Sequence, residues 1–260
     1  MPTSTELLKQ QTAAFEREMA KVIRRLEKEI NLIIDKYKTV NGVIVKNADL
    51  SRVITVGNQL EEALRSSGYY ELAEKALEGN RELMVLEIAN LKELLGRSRL
   101  GQIDATTLNN LLKVKYQGML DQAGLNVIAI KETLFNSVTL GLPMSTLRNE
   151  LTGKLGRFGR HATTYIRTAK REFIQTTEDT IADQIGFGEE KDDIWEYVPS
   201  LLQSDSHKEC IWAVEKKYFT NAEKISFESG GGYSHSEPRW NCVHHFAISN
   251  LTYEEAFGGE

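Results

Sequence analysis

Apolar residues recur every three or four positions through Phe15, Met19, Val22, Ile23, Leu26, Ile30, Ile33 and Tyr37, with polar and charged residues between them. That spacing lays them along one stripe of a helix, and Thr3 followed by Glu6 is a capping-box pattern that would start it. The pattern predicts a first helix reaching about Tyr37, roughly 50 Å long at 1.5 Å per residue. No proline stands between Pro2 and Pro143, so this whole stretch lacks the strongest helix breaker and is expected to be mostly helical. Further helices are predicted from Asp49 to Arg65, Tyr69 to Leu95, Thr106 to Gln122 and Leu125 to Leu140. Gly68, Gly96 with Gly101, Gly124 and Gly141 mark their ends, and Asp104 would cap the fourth. The Val40 to Lys46 segment, containing Asn41-Gly42, reads as a turn flanked by a short β-prone piece. The apolar stripes read as the core of a helix bundle, while the long, densely charged first helix also suits an assembly role.

From Pro143 the texture changes. Two more helices are predicted, Met144 to Leu155 and His161 to Ile185, the second carrying Ile166, Phe173, Ile174, Ile181 and Ile185. Gly186, Gly188 and the acidic run Glu189 to Asp193 then break the pattern. Beyond them short strands are expected at Ile194 to Val198, Lys217 to Thr220, Lys224 to Phe227 and Phe246 to Ser249. Trp195, Trp212 and Trp240 all fall here and are expected in the core of this last module. The reading is therefore a mainly α protein. An elongated helical region (1–142) and a basic helical segment (143–186) precede a small α+β metal-binding module (187–260).

Composition adds little to that picture, since 260 residues with 41% hydrophobic and 27% charged are ordinary for a chain with a proper core. Apolar runs are short and interrupted by charge, so no membrane span is expected. The net charge of −5 argues against a chain built wholly around nucleic acid. Locally the balance reverses: between Pro143 and Phe173, Arg148, Lys154, Arg157, Arg160, Arg167, Lys170 and Arg171 face only Glu150 and Glu172. This basic stripe reads either as a solvated helix face or as a surface for an acidic partner or double-stranded DNA.

Both cysteines and four of the five histidines lie between His207 and His245. The order is His207-x-x-Cys210, then a glycine-rich gap, His235, and Cys242-Val-His244-His245. Structural zinc takes four Cys and His ligands in a tetrahedron, often as two close pairs. His207 with Cys210, and Cys242 with His244, would be those pairs. The interval of about 31 residues exceeds the roughly 12 to 20 of common fingers, so no finger motif is matched. Cys210 and Cys242 could instead form a disulfide, although Met1 to Lys9 lacks the apolar stretch of an export signal. They could also be small buried apolar residues among scattered histidines. A module of about 70 residues with little apolar surface needs a staple, which a metal would provide.

The string Thr163-Thr-Tyr-Ile-Arg167-Thr168-Ala-Lys-Arg171-Glu172, Ile194-Trp-Glu-Tyr197-Val198-Pro199, Asp205 to Cys210, Lys217-Tyr-Phe-Thr220 and Glu237-Pro238 to Cys242-x-His244 resembles the phage head morphogenesis family, the minor head proteins of the Mu F type. The resemblance covers about residues 160 to 248, with Trp240 where the family commonly has a histidine, so His235 or His244 would stand in. It implies a structural virion component, not an enzyme, associated with the portal or the major capsid protein. Such a protein sits in the head interior or at the portal vertex, and in the host cytoplasm during assembly. A structural zinc would be held by Cys210, Cys242, His207 and His244, with His235 in reserve, and Asp205 and Asn241 would orient the ligands.

An HNH-like nuclease is the competing expectation. His245 or His235 would then be the general base and Asp205 a metal ligand. Thiolate-rich closed sites are usually structural, because catalysis needs an open coordination position. No phosphate loop, nucleophile elbow or paired-carboxylate motif occurs elsewhere in the chain.

Overall fold

A computed structural model describes residues 4–94, 105–190, 193–198, 208–229 and 245–258. These residues are mainly helical, with a small sheet near the C-terminus. Helix α1 (Ser4–Ile34) buries Phe15, Met19, Val22, Leu26, Ile30 and Ile34; of the stripe anticipated from spacing, Ile23 and Ile33 are only half-buried, and Tyr37, buried as expected, lies beyond the helix end. Thr3 lies outside the described residues. Strands β1 (Thr39–Val40) and β2 (Val43–Ile44) then form an antiparallel hairpin. Asn41 and Gly42, both at positive φ (52° and 77°), make its turn, as Asn-Gly favours.

Helices α2 (Leu50–Ser66) and α3 (Tyr69–Leu94) follow, separated by Gly68 at φ 85°. Next comes α4 (Ala105–Leu140), one helix where two had been expected. Gly124 does not break it, for a mid-helix glycine costs only about 1 kcal/mol relative to alanine. Burial of Met119, Ala123, Ile130, Leu134 and Val138 on the same helix outweighs that cost. Helix α4 ends where Gly141, at φ 69°, and Leu142 both donate to the Ser137 carbonyl, each at 3.0 Å. The β2 edge meets this turn, Ile44 donating to Leu142 O at 3.0 Å and Val43 bridging Pro143.

Helix α5 (Met144–Ile185) is likewise continuous where a break near residues 156–160 had been expected. Its buried stripe runs unbroken through Leu151, Leu155, Phe158, Ala162 and Ile166. A Cβ on Gly159 would sit 3.3 Å from Ile23 Cγ1, so glycine here serves close packing on α1 instead of chain reversal. Gly186 ends α5 at φ 67°: Phe187 donates to Ala182 O and Gly186 to Asp183 O, a Schellman motif.

The C-terminal elements are β3 (Ile194–Val198), α6 (Lys208–Lys216), β4 (Tyr218–Thr220), α7 (Asn221–Ser229), β5 (His245–Ile248) and α8 (Tyr253–Phe257). They form an antiparallel sheet in the order β4-β3-β5. Lys224 to Phe227, expected as a strand, lies in α7. The reason is local: Thr220 Oγ1 accepts from the Glu223 N–H while the Glu223 carboxylate accepts from the Thr220 N–H at 2.9 Å. That capping box starts a helix.

The chain divides into two compact units, one comprising Met1–Gln11, Glu78–Leu111 and Thr164–Glu260, the other Thr12–Leu77 and Leu112–Thr163. In the first, Trp195, Tyr197, Phe219, Phe246 and Ile248 of the sheet share a core with Leu91 of α3 and Ile181 and Ala182 of α5. Its rings pack edge-on, Tyr197 and Phe246 with centroids 4.9 Å apart, the arrangement aromatic quadrupoles favour. Trp195 is buried as anticipated, but Trp212 is 51% exposed and lies with one face on Phe227, while Trp240 falls outside the described residues. No described helix is long and apolar enough to cross a membrane.

Candidate functional site

Cys210 falls in the first turn of α6, with its side chain outside the description, and His207, His235, Cys242 and His244 lie outside the described residues, as do Asp205 and Asn241. What the structure does define is where their segments attach. Val198, the last residue of β3, pairs with His245, the first of β5, and antiparallel partners lie about 5 Å apart. The chain that leaves the sheet toward His207 and Cys210 therefore departs beside the point where the chain arriving from Cys242 and His244 enters it. Among the described residues no three Cys, His, Asp or Glu side chains gather as a metal-holding group.

His245, a candidate base in the nuclease reading, is buried within β5. Its strand is fixed by α5 through a side-chain relay that sequence reasoning missed. Gln175 Oε1 accepts the Phe246 N–H at 3.0 Å and Gln175 Nε2 donates to Asp179 Oδ1 at 2.9 Å. Asp179 in turn accepts from Lys224 Nζ of α7 at 2.9 Å. The same ammonium lies 3.8 Å from the centre of the Trp195 ring, within range of a cation–π attraction strengthened by burial. One helix thus orients β5, α7 and the central strand together.

The basic stripe is split by burial. Arg157 and Arg160 are exposed on α5, Lys154 and Arg167 are half-buried, and Arg148 is exposed while paired with Asp35 and Asn31 of α1. Lys170 and Arg171, by contrast, are 2% and 1% exposed, which takes them off any surface that could meet phosphate. Lys170 Nζ donates to Gln11 Oε1 at 2.7 Å and to Asn80 Oδ1 at 3.2 Å. Burial pushes its ammonium down to about 8, against the opposing pull of Glu82. The signal was present in the spacing, because Lys170 stands four residues from both Ile166 and Ile174 on the buried stripe.

At the α7 start, burial works to raise the Glu223 carboxyl, but hydrogen bonds from Lys216 and from the Thr220 N–H and hydroxyl, with the charge of Lys216, hold it below its usual value. The Lys216–Glu223 pair, 2.6 Å long, ties the end of α6 to the first turn of α7. Comparison of the chain with protein-family models, curated proteins and solved structures finds no match.

Proposed function

We propose that this chain is a phage minor head protein, a structural component of the virion associated with the portal or procapsid, whose C-terminal module is stapled by zinc. One observation carries the reading. The described members of the resembling string, Thr164–Glu172 on α5, Ile194–Val198 and Lys217–Thr220, belong to one compact unit, and the two strands among them pair side by side. A string of motifs that contributes to one module supports common ancestry better than scattered matches do. The donor set also fits the metal. Two thiolates and two imidazoles close a tetrahedron without an open position, which suits a structural role, and the Val198–His245 pairing sets the exit of the chain toward His207 beside the entry of the chain from His244. Cys210, Cys242, His207 and His244 would hold the zinc, with His235 as the substitute. Held by these residues, an ion would supply a cross-link between the two segments.

On the helix, the exposed Arg157 and Arg160, with Lys154 alongside, form the part of the stripe offered to an acidic portal surface or to packaged DNA. The buried position of His245 argues against its use as a general base. The test pairs elemental analysis of the purified chain with assembly. One zinc per chain is expected, with chelator lowering the melting temperature of the C-terminal unit. Cys242→Ser should lose the metal and fail to co-sediment with procapsids produced from the phage head genes. A zinc-free protein indifferent to chelator, and incorporated as well with Cys242→Ser as without, would overturn the proposal. Divalent-dependent nicking of plasmid DNA, abolished by His245→Ala in a folded protein, would replace it with the nuclease reading.

A further inference from the structure

Helices α3 and α5 carry a second buried polar pair beneath the sheet, and neither the zinc nor the basic stripe uses it. Glu87 is 5% exposed and Glu178 1% exposed. The flanking turns of both helices belong to the sheet's core: Ile88 and Leu91 on α3, Ile181 and Ala182 on α5. The two side chains come within hydrogen-bonding reach of each other, and the buried Oε2 of each carboxyl has no other donor among the described residues. Two carboxylates in that position cannot both be ionised, since a carboxylate–carboxylate hydrogen bond exists only while a proton lies between them. Removing it would leave two like charges facing each other inside an apolar core.

We infer that the Glu87–Glu178 pair is a proton-operated latch, in which one shared proton holds α3 against α5 under the C-terminal sheet and its loss loosens that sheet's footing. The charged groups that act on Glu178 come from three helices. Burial pushes its carboxyl well above the usual carboxylate range, Glu87 of α3 and Asp179 of α5 act in the same direction, and Lys224 of α7 opposes them. A carboxyl raised by folding binds its proton more tightly in the folded state. The stabilisation is complete below the ordinary carboxyl range near pH 4.5 and is lost as pH rises toward the folded value. Lys170, lowered by burial on the same helix, has the opposite sign, so the two are separable.

The experiment is hydrogen exchange read by mass spectrometry on the full chain between pH 5 and pH 9, corrected for intrinsic rates. Peptides spanning 82–94 and 172–185 should open more readily as pH rises, by up to about tenfold per pH unit for one linked proton, while peptides from 15–34 should not. Glu178→Gln, whose amide donates the same bond to Glu87 without a charge, should flatten the slope. Glu87→Gln, which removes the like charge while leaving the burial that is the larger cause, should make the slope shallower without abolishing it, and serves should the first variant fold poorly. Level opening of the wild-type peptides across this range, or a slope shared by wild type and both variants, would overturn the latch. A slope seen only in chelator would overturn it too, because the pair would then hold a cation and not a proton.

Discussion

Replacing Lys170 by methionine isolates the cost of a buried ammonium. The side chain is 2% exposed, and its ammonium is depressed from 10.5 to about 8. At about 1.4 kcal/mol per pH unit, that drop sets roughly 3 kcal/mol against the charged form at neutral pH. Folding therefore expels a proton between about pH 8 and the unfolded value of 10.5, and the wild type gains stability across that window. Methionine matches the length of the stem and carries no charge, so the variant has no such gain. It leaves Gln11 Oε1 and Asn80 Oδ1 without the donor they now share, a loss of about 1 to 3 kcal/mol. At pH 7 the two effects nearly cancel, and Lys170→Met should have a urea midpoint close to wild type. Near pH 10.5 only the lost hydrogen bonds remain, and the variant should be the weaker protein. The assay is urea unfolding followed by far-UV circular dichroism at a series of pH values, taken as the difference between the two proteins so that other titrating groups drop out. Parallel profiles from pH 7 to 10.5 would refute the reasoning.

Thr220→Ala removes the hydroxyl that caps α7 and should cost about 1 kcal/mol of stability, measured as a lower urea midpoint with an unchanged slope. Phe219→Ala, at a fully buried ring packed against Tyr197 and Phe246, should cost about 3 to 5 kcal/mol. Its near-UV circular dichroism should fade while the helical signal persists.

The helical body was legible because its segments bury one side only. The stripe from Phe15 to Ile30 announces α1, and Asn41-Gly42 announces the hairpin turn. Strand β3 matches its expected bounds because Ile194, Trp195 and Tyr197 alternate with Glu196 in a short run. Glycine misled the reading at 124, where tertiary burial overrides a small local penalty; the break expected between Leu155 and His161 is absent because the buried stripe of α5 runs through it, with Gly159 using its missing side chain to pack on Ile23. Lys224 to Phe227 misled it because four residues rarely distinguish strand from helix, whereas Thr220 and Glu223 just upstream do. The cations were counted as one face from their proximity in sequence; helical periodicity would have turned Lys170 inward with Ile166 and Ile174. Gln175 and Asp179 carry no motif at all, since their roles arise only when β5 and α7 arrive from much later in the chain.

The bond from the Phe246 amide to Gln175 has a consequence for chains at high local concentration. A bare outer strand is a template on which a neighbouring molecule can add its own, and natural proteins blunt such margins to avoid aggregating. Here a glutamine from a helix occupies the donor that an incoming backbone carbonyl would need, while the opposite margin, β4, is only three residues long. Among the described residues the sheet is thereby blunted on one side by an occupied donor and on the other by brevity.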